Sequence, residues 1–112
     1  MNQVLLEGRL AADPIRKTVG ETEIAEFSVA VATGKDREAD FFDCTAFNGW
    51  AKNLAAKKGD PVFVIGRLRQ ERWTDKETGK ARSRVRVAVF EVRELRRASQ
   101  DASWPVLVGE PY

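Results

Sequence analysis

Two strand-like segments joined by a short turn, between Asp60 and Val92, constrain this chain more than any other part of it. The outgoing segment runs Pro61 to Trp73, the turn is Thr74 to Gly79, and the return runs Arg82 to Val89. A strand sends alternate side chains to opposite faces. Val62, Val64 and Leu68, with Gly66 between them, therefore mark a packing face, while Arg67, Arg69 and Trp73 share the other. On the return, Arg82, Arg84 and Arg86 alternate with Val85, Val87 and Val89. A ribbon that is basic and aromatic on one side suits a single-stranded nucleic acid, because cations follow phosphates and a flat ring stacks on any base. A solvated hairpin with one core tryptophan has the same pattern.

The other segments supply a sheet for this hairpin to close. Val4, Leu6, Gly8 and Leu10 alternate as a half-buried first strand, which Asp13-Pro14 breaks and Ile15–Val19 resumes. Residues 23–32 form a strand with Ala25, Phe27, Val29 and Val31 inward, and residues 33–40 read as a loop. In the strand Phe41–Phe47, Phe42, Cys44 and Ala46 are assigned to the core. Phe41 and Phe47 then lie on a mixed face with Asp43 and Thr45, as a stacking platform, on a strand buried on both faces, or under a subunit partner. Residues 48–58 are predicted as the single helix, capped by Asn48 and ended by Gly59, with Trp50 in its apolar stripe. The apolar parity shifts near Ala88, where Val85, Val87 and Val89 give way to Phe90 and Val92, which a bulge or a sharp coil of the strand would explain. Five strands with one short helix between the third and fourth make an all-β OB-fold barrel over residues 1–95. Residues 96–112 follow as an extension, flexible or docked.

Composition narrows the chemistry. The chain has 112 residues, enough for one domain, and a net charge of only +2. Between residues 65 and 97, however, eleven Lys/Arg face five Asp/Glu, against eight and twelve elsewhere. Positive charge thus gathers on the hairpin, as at a polyanion site. There is no histidine, and the lone Cys44 excludes an internal disulfide and a cysteine-based zinc site. With no nucleophile–base pair and no phosphate-cradling glycine loop, neither an enzyme nor a cofactor is expected. No apolar run approaches the roughly 20 residues that span a bilayer. The N-terminus also lacks a secretory pattern, so an intracellular location is expected.

An ordered set of motifs carries a resemblance. It comprises Met1 to Leu10, Asp13-Pro14, Ala25 to Val31, Phe41 to Phe47, Lys58-Gly59, Val64 to Arg69, and Arg72-Trp-Thr-Asp75 followed by Gly79. Together they resemble the bacterial and phage single-stranded DNA-binding protein family from Met1 to about Leu95. The resemblance implies sequence-independent binding and protection of single-stranded DNA in replication, recombination and repair, by a homotetramer or homodimer. It implies base stacking by Phe41, Phe47 and Trp73, and phosphate contacts by Lys17, Arg69 and Arg72. Charge and strand parity add Arg9, Arg67, Arg82, Arg84 and Arg86 to the candidate phosphate contacts. Family members often end in an acidic tip that recruits replication and repair proteins, whereas this sequence ends Glu110-Pro-Tyr112. Alternative readings are a primosome-like adaptor that binds both DNA and replication proteins, an RNA-binding module, and a structural subunit.

Overall fold

The computed structural model describes residues 1–34 and 38–95. The expected extension, residues 96–112, lies outside the described residues, as does part of the loop after the second expected strand. The elements are β1 (Val4–Leu10), β2 (Ile15–Val19), β3 (Thr22–Val31), β4 (Asp40–Phe47), α1 (Gly49–Lys52), β5 (Pro61–Thr74) and β6 (Ala81–Glu94). They form one sheet in the order β1-β5-β6-β4-β3-β2, and β1 also pairs with β3, so the sheet closes into a ring.

The six strands amount to the five of an OB-fold barrel, because β1 and β2 are two halves of one strand. Arg9 and Leu10 lie opposite Ala30 and Val29 of β3, and after the Asp13-Pro14 break Ile15 to Val19 continue opposite Glu26 to Thr22. The earlier part of β1 leaves β3 and pairs with β5, Val4 opposite Gly66 through Arg9 opposite Pro61. A parallel contact of Cys44 and Thr45 with Val87 and Ala88 joins the two halves of the barrel.

The inward residues are those the alternation selects. Leu10, Ala25, Phe27, Val29, Cys44, Ala46, Val62, Val64, Val87, Val89 and Val92 are buried together, with Ala51, Leu54 and Ala56 closing one end. Two glycines let backbones cross. A Cβ on Gly8 would collide with the Ala30 carbonyl oxygen, and one on Gly66 with that of Ala88. The parity shift is a bulge: Ile65 faces Glu91 while Gly66 faces Val89, which leaves Phe90 as the extra residue of β6.

Packing ends sooner along the hairpin than the alternation predicts. Leu68 and Val85, assigned to the packing face, are exposed, as is Phe42. Beyond Gly66 and Val87 the arm of β5 and β6 leaves the barrel, so both its faces meet water. Phe42 lies on the part of β4 that precedes the β6 contact, where no strand covers its inner side.

The helix is one turn, not three. Asn48 has φ 51° and makes no cap; its side-chain oxygen accepts instead from the Glu23 amide at 3.3 Å. Carboxylates take the amides that a longer helix would use internally. Glu94 accepts from Ala55 at 3.1 Å, Asp60 from Lys57 at 2.9 Å, and Asp13 from Lys58 at 2.8 Å. Arg16 donates to the carbonyls of Ala51, at 2.5 Å, and Leu54. Unwinding buries Ala56 in place of Ala55. Trp50, expected in the core, is half-exposed under the Arg93 guanidinium, 5.4 Å from its ring centre. Gly59 does take the left-handed conformation, φ 89°, but in the loop that follows rather than at a helix end.

Candidate nucleic-acid interface

The outward residues of the sheet align in cross-strand rows. Pairing places Ile15, Glu26, Thr45, Ala88 and Arg67 side by side across β2, β3, β4, β6 and β5. A neighbouring row sets Lys17 beside Ile24 and Phe47. Along the arm, Arg69 faces Arg86, Glu71 faces Arg84, and Trp73 faces Arg82. Directly opposed residues share a face. The outward face of the barrel therefore runs without interruption onto the arm.

A cleft of about 220 Å³ lies where barrel and arm meet, and Lys17, Phe47, Arg69 and Arg86 all line it. Four of the sequence-predicted residues, drawn from four strands, thus come together. Its other walls are Ile24, Glu26, Thr45, Glu71 and, from β6, Val87 and Ala88. Phe41 is 63% exposed and lies six residues from Phe47 on the same strand, about 20 Å away. Trp73 is 46% exposed toward the tip of the arm. The three rings are thus spread along the face rather than gathered in one pocket, a spacing that suits an extended polymer better than a small molecule.

The cations are not equivalent. Arg82 pairs with Asp75 at 3.2 Å, and Arg84 donates to Glu71 at 2.8 Å. Lys17 and Arg86 lie 3.6 and 3.7 Å from the same oxygen of Glu26. Among the described residues, Arg67 and Arg69 have no carboxylate within ion-pair distance. The hydrogen bond from Arg84 holds the Glu71 carboxyl below the usual carboxylate range, and Glu71 in turn raises Arg84. Arg84 also lies over the Trp73 ring, 5.8 Å from its centre, so Glu71, Arg84 and Trp73 form one fixed group.

The two remaining predicted cations sit elsewhere. Arg72 has the opposite parity from Trp73, faces Ser83, and donates to Gln70 at 2.8 Å. Arg9 is at the other end of the barrel and donates to the Gly59 carbonyl at 2.9 Å. It shares a row with Ala30 and Phe41, and so stands at the Phe41 end of the outward face rather than in the cleft. Sequence reasoning missed Glu26, Glu71 and Asp75, the acids that anchor most of these cations. Their strand positions were legible; their partners depended on the register. Among the described residues, no group of His, Cys, Asp and Glu is arranged to hold a metal ion, and no helix is long and apolar enough to cross a membrane.

Comparison with known proteins matches residues 1–95 to the single-strand binding protein family. The chain belongs to this family. Among its single-strand binding relatives is the single-stranded DNA-binding protein of Deinococcus radiodurans, 36% identical over 112 aligned residues, covering 92% of this chain and 37% of the relative. That of Thermus thermophilus is 34% identical over 109 residues, covering 91% and 40%. That of Aquifex aeolicus is 36% identical over 107 residues, covering 87% and 71%. The chain thus spans well under half the length of the first two. The family match covers the whole described barrel and both strands of the arm, and so every outward row above.

Proposed function

We propose that this chain binds single-stranded DNA independently of sequence and so protects and extends exposed strands during replication, recombination and repair. The observation that carries this reading is the cleft in which Phe47 shares walls with Lys17 and Arg69. It sits at the middle of a face that leads to Phe41 on one side and Trp73 on the other. The ring takes a base by stacking and the cations take the flanking phosphates, and neither interaction depends on base identity. Three relatives that bear the name single-stranded DNA-binding protein support the choice of ligand. The chain acts by binding and catalyses nothing, and it works where the nucleoid DNA is.

The experiment is fluorescence anisotropy of labelled oligo-dT and of a duplex of equal length, each at two salt concentrations. Tight binding to oligo-dT that weakens with salt, with little binding to duplex, is the expected result. Equal affinity for both would refute a single-strand function.

The same chain assembles as a homodimer or homotetramer in this reading. The support is apolar surface on the outer side of β1 and β6: Leu5, paired with Ile65, and Phe90 are all outward, and Leu5 and Phe90 are exposed. Light scattering after size exclusion should give a multiple of 12.6 kDa, and Leu5→Glu should lower it. A monomeric mass for the unaltered chain would contradict the assembly.

A further inference from the structure

Glu26 poses a problem for a surface that receives a polyanion. Its side chain is 28% exposed on the wall of the cleft, and it lies on the path between Lys17 and Arg86. It also borders a second hollow, with Asp13, Ser28 and Asp43. A carboxylate is repelled by phosphate unless something in the ligand gives it a proton to accept.

Nor is Glu26 consumed by its neighbours. Both cations approach one oxygen, and at 3.6 and 3.7 Å neither contact is a hydrogen bond. Among the described residues, neither oxygen of Glu26 accepts a hydrogen bond. The guanidinium beside it is equally unspent: Arg86 is 11% exposed, and its buried Nε has no partner. A buried donor left unmade is costly and rare. A carboxylate that accepts no hydrogen bond from the protein and a guanidinium with one unpaired N–H therefore stand side by side on the wall of the cleft that also holds Phe47.

DNA offers few groups to satisfy such a pair. Within a strand, phosphates and deoxyriboses only accept; the N–H donors are on the bases. On its Watson–Crick edge every base sets a donor next to an acceptor. These are N3–H and O4 in thymine, N4–H and N3 in cytosine, N6–H and N1 in adenine, and N1–H and O6 in guanine. A carboxylate beside a guanidinium complements all four.

We propose that Glu26 and Arg86 form a base-edge clamp, in which Glu26 accepts from the donor of a base stacked on Phe47 and Arg86 donates to its neighbouring acceptor. The clamp rests on the single-stranded DNA reading and deepens it. It adds hydrogen bonds to stacking without adding sequence preference, since any base fits. Glu26 then has two roles, holding Lys17 and Arg86 near the path and meeting the base.

The test compares oligo-dT with the same oligomer built entirely from N3-methylthymidine, which keeps the ring and the phosphates but has no N3–H to give. Anisotropy is measured on the intact chain and on Glu26→Ala, with circular dichroism to check folding. Glu26 is on the outer face of the sheet, so its removal leaves the core untouched. The intact chain should bind the methylated oligomer about tenfold more weakly, the scale of one lost bidentate contact. In Glu26→Ala that ratio should fall to about one, whatever happens to the absolute affinities. Equal binding of both oligomers by the intact chain overturns the clamp while leaving single-stranded DNA binding in place. A ratio that survives in Glu26→Ala also overturns it, since Glu26 would then only hold its cations. Failure to bind either oligomer rejects the functional reading itself, and the clamp with it.

Discussion

Individual residues show how burial and close approach set chemistry. Cys44 is wholly enclosed between β3 and β6 neighbours, and burial, with the Asp43 charge adding to it, pushes its thiol up to about 12. The thiolate is the reactive form. At pH 8 the native protein should therefore resist an aromatic disulfide reagent, and one thiol per chain should react after denaturation. Rapid labelling of the native protein would contradict the burial. The linkage sign also follows. Between pH 9 and about 12 the unfolded chain releases a proton that the folded chain retains, so stability falls as pH rises through that window. Gly66 gives a steric counterpart. Gly66→Ala drives a methyl into the Ala88 carbonyl and should cost about 2–3 kcal/mol in urea unfolding. Gly49→Ala, with open space around it, should cost much less.

At the scale of elements, the arm of β5 and β6 separates into two faces with different duties. Arg69 lines the cleft, whereas Arg72 has the opposite parity and is bonded to Gln70. Arg69→Ala should weaken oligo-dT binding and reduce the slope of log affinity against log salt by about 1, the mark of one phosphate contact. Arg72→Ala should leave that slope nearly unchanged; equal slopes lost in both variants would show that the strand wraps the arm. Periodicity made the strands legible. Val62, Val64, Val87 and Val89 alternate inward as expected, and the parity shift near Ala88 signalled an irregularity that the register resolves as a bulge at Phe90. What periodicity could not show was where the barrel stops. Leu68 and Val85 continue the apolar alternation into an arm with nothing to pack on. The helix failed for a related reason. Residues 48–58 have helical spacing, but Asp13, Glu94 and Arg16 are distant in sequence and capture the backbone groups that a helix would need.

For the whole molecule, the parallel β4–β6 contact joins an outward row on β2, β3 and β4 to one on β6 and β5, which places Lys17 and Arg69 in one cleft although 52 residues separate them. The sequence disclosed the members of this face, because parity and charge were enough to nominate them. It did not disclose Glu26 as the residue between Lys17 and Arg86, since that depends on cross-strand register. The arm then extends the face to Trp73, whose ring is held between Arg84 and solvent and is available to a base. The most direct test of single-strand binding by this face is a tryptophan fluorescence titration with oligo-dT on the intact chain and on Trp73→Ala. Strong quenching is expected in the intact chain. The variant should lose most of it together with about 1–3 kcal/mol of affinity, the worth of one stacked base. Unchanged affinity and quenching in Trp73→Ala would show that the strand takes a path that does not include the arm.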